Sequence, residues 1–509
     1  MQNIQSRLPV KAAAKTSVLS KSWLHAWSTI PTLIFHVPIG NIPIERFDLK
    51  KQQRKQLKLV YIDNTLIRYL RDNIPIERFD LKLPVENREH SSLAQKWIRS
   101  LATKTCLKEL SLNFVVYGGL MKLPDEILCG ENLTSIRVSG SRWLRTSDCP
   151  PIINCVSLRE LYFSGVRISQ QILDHILTSC RLLAKIELRN CSSLDLKTIK
   201  VKSLPCLNEL KITEEGRVRR VEINNVPNLS FFSCNLLDQR THHVPFNPHS
   251  ISLGSSVTEL SLGGHGLVTD DASLDMIKSG LPFLESLTLN MTFWTLESFH
   301  FTCASIRRFS LLDCKNRLID IQVHALKLLS FHLSGYTMPS LSFPISTTLE
   351  EITFLLYPET RFGASFFLKM REALELSLSS KYYVHIKFHR RQFPLEKDLL
   401  DDLKTRLQFP PATNVETLSF ATSPDDCLGE ENSSVFDALF EICHPELVNV
   451  KLMLREFLEK KMTRTMANWH RYLHNFQVRK KVQKKRETLL NPRFLDWSGS
   501  YAEFKLEWS

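Results

Sequence analysis

The chain has 509 residues, a formal net charge of +13, 43% hydrophobic and 23% charged residues, a balance that excludes wholesale disorder and fits one long repeat array or two to four ordinary domains. No run approaches eighteen consecutive apolar residues, and Arg7, Lys11, Lys15 and Lys21 interrupt the first thirty positions, so neither a membrane-spanning helix nor a secretory leader is expected. The twelve cysteines are scattered, without a Cys-x-x-Cys pair or zinc-finger spacing, which argues for a reduced compartment and against a metal module; no metal and no cofactor is expected.

The first patterned segment is residues 7–27. Leu19, Trp23 and Trp27 recur every fourth residue with Leu24 beside them, which predicts a helix carrying all four on one apolar stripe. Such a stripe is covered either by the protein's own core or by a partner. Leu8-Pro9, the run Thr16-Ser17-Val18-Leu19-Ser20-Lys21 and the spaced Trp23 and Trp27 resemble the later two thirds of an F-box of the plant F-box/leucine-rich-repeat family. That resemblance implies docking to an S-phase-kinase-associated adaptor, and through it to a cullin and ubiquitin transfer. Leu8, Pro9, Val18, Leu19, Trp23 and Trp27 would supply the apolar part of the docking surface. The Leu-Pro-x-x-Ile-Leu helix that opens such a module does not stand ahead of Met1-Gln2-Asn3-Ile4-Gln5, so residues 1–38 are read as a truncated F-box.

Residues 39–72 are read as a basic linker. They begin with a curiosity, because the decapeptide Asn-Ile-Pro-Ile-Glu-Arg-Phe-Asp-Leu-Lys at residues 41–50 recurs identically at residues 73–82. Divergent repeats do not preserve identity of this kind; it marks a recent local duplication or an error in assembling the coding sequence. The second copy has the better context, since a tryptophan helix follows it.

A repeat array is read over residues 73–454. The pattern Leu-x-x-Leu-x-Leu, with other large apolar residues allowed, starts at Ile76, Leu107, Leu133, Leu158, Leu183, Leu207, Val257, Leu284, Ile306, Leu326 and Leu349, and more weakly at Val415 and Leu447. From Leu107 to Leu207 the starts lie 26, 25, 25 and 24 residues apart, within the leucine-rich-repeat period. The interval of 50 from Leu207 to Val257 predicts one degenerate repeat near Leu229-Ser230-Phe231-Phe232. Helical spacing at Leu93, Trp97, Ile98 and Leu101, and at Ile172, Leu173, Ile176 and Leu177, predicts helices between repeat strands. Leu123-Pro124-Asp125-Glu126-Ile127-Leu128 reads as a loop-to-helix piece of a repeat. Cys191 and Cys314 follow the last apolar position of their repeats by three residues and read as buried structural thiols. The predicted fold class is α/β: a leucine-rich-repeat solenoid of horseshoe form preceded by a short all-helical F-box remnant.

Residues 455–509 read as a basic helical C-terminal cap and tail. Between Arg455 and Arg486, eleven Lys or Arg face only Glu456 and Glu459. Arg479, Lys480, Lys481, Lys484, Lys485 and Arg486 form a possible nuclear import signal, with a solvated helix face as the alternative. The tail lacks interleaved aromatics, so nucleic acid is not an expected partner. Residues 436–473 also resemble the tail of the same plant family.

No catalytic motif stands out. His470 and His474 have the one-turn spacing of metal ligands, but Arg471 replaces the expected glutamate and no third ligand appears. Gly263-Gly264-His265-Gly266 lacks the Gly-Lys-Ser/Thr end of a phosphate loop. The expectation is a non-enzymatic adaptor, cytoplasmic or nuclear, whose F-box docks the ligase and whose repeats bind an unidentified target protein. The alternative is a repeat scaffold that no longer assembles into a ligase.

Overall fold

In the computed structural model the described residues are 4, 15–37, 49–102, 106–117, 121–146, 153–191, 196–214, 218, 220–236, 253–264, 280–292, 297–314, 318–344, 349–357, 363–376, 380–387, 399–422, 433–452, 482–483 and 501–505. They form a mixed α/β structure, mostly strands, in two compact units: Met1–Val257 with His265–Leu267, and Thr258–Gly264 with Val268–Ser509.

The first unit runs α1 (Lys21–Ser28), β1 (Thr32–His36), α2 (Leu49–Arg71), β2 (Arg78–Val85), α3 (Arg88–Ala102), β3 (Glu109–Val116), β4 (Met121–Lys122), a 3-10 turn (Asp125–Leu128), β5 (Ser135–Arg145), β6 (Glu160–Arg167), α4 (Gln170–Ser179), β7 (Lys185–Arg189), β8 (Thr198–Lys202), β9 (Glu209–Glu214), β10 (Arg220–Asn224) and β11 (Phe231–Leu236). Strands β1, β2, β3, β5, β6, β7, β9 and β11 pair in parallel, each with the next. Because side chains alternate along a strand, the register stacks like residues into rows. Phe79, Leu110, Ile136, Leu161, Ile186, Leu210 and Phe232 make one buried row, and Leu81, Leu112, Val138, Phe163, Leu188, Ile212 and Cys234 the next. Each such side chain contributes about 1.5–3 kcal/mol when fully buried, and it is buried only when the neighbouring repeat stacks on it. The degenerate repeat expected near Leu229 is β11.

The second unit runs β12 (Glu259–Gly264), β13 (Ser286–Asn290), β14 (Ser298–Thr302), β15 (Arg308–Cys314), β16 (Asp320–His324), β17 (Ser330–Gly335), β18 (Ser340–Ser342), β19 (Glu351–Leu356), α5 (Ala364–Leu374), β20 (Lys381–Lys387), α6 (Leu399–Arg406), β21 (Val415–Thr422), α7 (Ser433–Ile442), β22 (Leu447–Leu452), β23 (Val482–Gln483) and β24 (Tyr501–Lys505). Its parallel ladder is β12, β13, β15, β17, β19, β20, β21, β22. Strand β24 then lies antiparallel on β22, and β23 on β24.

Helices do not alternate with every strand as expected. Ile306, Leu328 and Leu349 stand 22 and 21 residues apart, too close for a strand, a helix and two turns. The return segments there are strands, and β14, β16 and β18 form a second parallel sheet. Between the two sheets Phe309 stacks on Phe301, with ring centroids 5.1 Å apart, and on Phe299 at 6.0 Å. In the first unit β8 and β10 pair in the same way, whereas the 25-residue repeat from Leu158 to Leu183 accommodates α4, which buries Ile172, Leu173, Ile176 and Leu177.

Several expectations are corrected. Residues 49–71, expected within a basic linker, are the helix α2, because Leu59, Ile62, Leu66 and Tyr69 fall on one face and are buried. The repeat expected to start at Leu326 starts at Leu328: Leu326 is 60% exposed, and Phe331 and Leu333 align with Phe309 and Leu311. The last frame is likewise shifted by two: the motif expected to start at Leu447 would set Val450 beside Leu418, but Val448 stands there and Val450 lies beside Phe420. Strand β20, with Tyr382, Val384 and Ile386 buried, matches no repeat read from the sequence. Of the tail expected to be helical from 455, the described residues are the strands β23 and β24.

Candidate docking surfaces

The sequence-predicted docking residues lie on and just before α1. The Ser20 hydroxyl accepts the Trp23 N–H at 3.2 Å and caps the helix, so α1 begins at Lys21 and Leu19 lies ahead of it. The stripe expected on one helix is therefore split between a turn and a helix. Its apolar residues are not taken into the core. Val18 is 84% exposed, Leu19 66% and Leu24 52%, while Trp23 and Trp27 are half-buried. Ala26 is the one residue of α1 that is buried. Leu8 and Pro9 lie outside the described residues.

Helix α2 ties this segment to the repeats, a role the sequence reading missed. The Arg68 guanidinium donates to the Ser28 carbonyl at 3.0 Å, and the Tyr69 hydroxyl to the Ile30 carbonyl at 3.1 Å. Burial raises the Tyr69 pKa above its ordinary value, which keeps the hydroxyl protonated and able to donate. On the other side of α2, Asp63 accepts the indole N–H of buried Trp97 at 2.8 Å and pairs with Lys96 at 3.1 Å. Spacing at Leu59, Ile62, Leu66 and Tyr69 carried the signal, but the Lys and Gln residues of 50–58 masked it.

The second surface is the outward face of the first unit's ladder. Register places Arg78, Glu109, Ser135, Glu160, Lys185 and Glu209 in one row and Asp80, Ser111, Arg137, Tyr162, Glu187 and Lys211 in the next. Together with Arg159 the first strands of this face line a groove of about 520 Å³. Its charges pair across the strands: Arg78 with Glu109 at 3.4 Å, Arg137 with Glu160 at 2.8 Å and Lys185 with Glu209 at 3.4 Å. The Arg137 guanidinium, helped by the Ser135 hydroxyl, holds the Glu160 carboxyl below its ordinary range. A face of alternating, mutually neutralised charges selects ligands by pattern and shape, and it provides no continuous positive track for a phosphate backbone.

Cys191 and Cys314 are buried and free. Burial pushes both thiols well above their ordinary pKa, so neither is a nucleophile or ligand at neutral pH. The Cys191 thiol bonds the Arg189 carbonyl of its own turn at 3.2 Å and the Phe163 carbonyl of the neighbouring β6 at 3.3 Å. Among the described residues no cluster of His, Cys, Asp or Glu could hold a metal, and no helix is long and apolar enough to cross a membrane. His470, His474, Arg479, Lys480, Lys481, Lys484, Lys485 and Arg486 lie outside the described residues; Val482 and Gln483 between them form β23.

Residues 94–244 match the family model described as FBD-associated F-box protein At5g56370, LRR repeats. The chain is 26% identical over 225 residues to an Arabidopsis thaliana F-box/LRR-repeat protein, At3g18150, covering 44% of this chain and 40% of that one. It is 26% identical over 314 residues to a second, At4g15060, covering 60% and 63%. An FBD-associated F-box protein, At5g56410, matches at 24% over 242 residues, 45% and 46%. The chain thus spans between about two fifths and two thirds of the length of these curated relatives.

Proposed function

We propose that this chain, which is similar to plant F-box/leucine-rich-repeat proteins, is the substrate-recognition subunit of an SCF-type, cullin-based ubiquitin ligase. Residues 1–38 act as an F-box-like segment that docks an S-phase-kinase-associated adaptor, and the repeat ladders form a solenoid that holds the target protein. The chain is not itself a catalyst. It works by raising the effective concentration of a target near another subunit's active centre, in the cytoplasm, the nucleus or both.

The observation that supports this most directly is the state of α1. A core-packing helix buries its apolar stripe, but here Val18, Leu19 and Leu24 are exposed beside Trp23 and Trp27. A contiguous apolar patch left open on a soluble chain marks an interaction site. The bonds from Arg68 and Tyr69 to the segment just after α1 then couple the docked adaptor to the repeats through α2.

The test is a pull-down of the full chain with a plant S-phase-kinase-associated adaptor, alongside Trp23→Ala/Trp27→Ala. Binding that is lost in the double variant is the expected result. A folded chain that captures no adaptor overturns the ligase reading and leaves a repeat scaffold working outside a ligase.

A further inference from the structure

Helix α2 is apolar on two faces. Leu59, Ile62, Leu66 and Tyr69 make the buried one. With about 3.6 residues per turn, Leu57, Val60, Tyr61 and Ile67 fall together on the opposite side, where they are between 45% and 69% exposed. This second stripe is about 15 Å long at 1.5 Å per residue. A helix that only covers a core is polar on its outer face, so packing on the repeats does not account for it. Nor does α3, which α2 meets through Asp63, bonded to Trp97 and Lys96 on the flank between the two stripes.

The outer stripe continues the exposed apolar residues around α1. Arg68 and Tyr69 bond the carbonyls of Ser28 and Ile30, and the Tyr61 ring meets Phe35 edge-on, with 6.3 Å between centroids. Helix α2 therefore runs back beside residues 28–35. Ile67 is at the end of the stripe nearest Ser28, the last residue of α1, and Leu57 is at the far end. Charge limits what can cover both patches. Residues 1–38 contain Arg7, Lys11, Lys15 and Lys21 and no Asp or Glu, and residues 49–71 contain seven Lys or Arg against Asp63 alone. A second copy laid α2 on α2 would bring like charges together, whereas acidic groups around an apolar centre complement both segments.

We propose that the outer face of α2 is a second part of the adaptor-docking surface, an assignment that rests on the reading of α1 as the first part. Leu57, Val60, Tyr61 and Ile67 receive an apolar contact surface rimmed with Asp or Glu, on the same adaptor that covers Val18, Leu19 and Leu24. Seated on both helices, the adaptor is fixed in orientation relative to the repeats, because α2 is itself bonded to α3 through Asp63.

The test is titration of the full chain with a purified plant S-phase-kinase-associated adaptor, read by isothermal titration calorimetry. Leu57→Gln/Val60→Gln keeps good helix formers on an exposed face and is expected to weaken binding about fivefold or more, with an unchanged circular dichroism spectrum. Leu326→Gln, the same kind of change at an exposed position of the second unit, is expected to leave binding as it is. Lys58→Glu is expected to weaken binding about threefold or more in about 50 mM salt, and less in about 500 mM. The photo-crosslinker p-benzoylphenylalanine in place of Val60 is expected to form an adduct with the adaptor. Wild-type binding that is lost in Trp23→Ala/Trp27→Ala but unchanged in Leu57→Gln/Val60→Gln overturns the part assigned to α2 and leaves the ligase reading standing. So does a chain that binds the adaptor but yields no adduct at position 60, or a Lys58→Glu chain that binds as tightly as wild type. A folded wild type that binds no adaptor overturns both.

Discussion

On the first unit's ladder the third outward row is Lys82, Asn113, Ser139, Ser164 and Arg189, all in contact with solvent. On the second unit's ladder a comparable row is Ser334, Leu355, His385 and Ser419, all buried. Both are outward positions of parallel strands, so the repeat pattern assigns them alike. The difference shows that equivalent outward positions can be open to solvent in one ladder and buried in the other, and only an open row is available to a partner. Among the described residues the first unit keeps this row open, beside its groove and paired charges, whereas the second unit buries it while leaving its first outward row, Arg308, Ser330, Glu351 and Lys381, in contact with solvent.

Four measurements bear on that contrast. The largest effect is expected from Phe309→Ala, which removes the ring packed between the second unit's two sheets and is expected to cost about 3–5 kcal/mol, read by urea denaturation. A cost below about 1 kcal/mol would mean that these sheets do not share a core.

Next comes the acid response of the buried face. His385 is 3% exposed, and burial, with His332 adding repulsion, depresses its pKa from 6.5 to about 4. The unfolded chain therefore binds the proton first. Stability is full above about pH 6.5 and falls as pH is lowered toward 4, by up to roughly 3 kcal/mol from this residue. His385→Gln is expected to flatten that part of a stability–pH curve; an unchanged curve would assign the acid sensitivity elsewhere.

In the first unit, Asp63→Ala leaves the buried Trp97 N–H without its acceptor and is expected to cost about 1–3 kcal/mol. It should also loosen α2, so that amide exchange rises in residues 59–69 more than in β5 to β7. The smallest change is expected from Arg137→Ala on the open face. Its pair with Glu160 is solvent-exposed, so stability should move by less than about 1 kcal/mol and less still in high salt. A larger loss would show that the open face is part of the structural framework.

The buried rows were legible because two periods reinforce each other: alternation within a strand and recurrence every 21–28 residues from Leu107 to Leu349. Where both frames satisfied the pattern, legibility failed. Leu326-x-x-Leu329-x-Phe331 and Leu328-x-x-Phe331-x-Leu333 fit equally well as text, and only alignment with Phe309 and Leu311 on β15 selects the second. Tyr382 escaped notice because a bulge between Tyr382 and Tyr383 shifts the register with β21, and no apolar residue opens the motif three places earlier. The apolar stripe of residues 19–27 was legible in its spacing, but its Ser20 cap and the exposure of Val18, Leu19 and Leu24 were not, since neither depends on spacing.

By itself the sequence determined that this chain stacks repeats and which side chains form most of their core, because apolar periodicity dictates what must be buried. Only the tertiary structure decided the rest. Leu49-Lys50 open a helix while Leu81-Lys82, in the identical decapeptide, form the strand between β1 and β3. Ten residues carry no instruction that distinguishes the two; the strands on either side of Leu81 supply the hydrogen bonds and the covered apolar face that make it a strand.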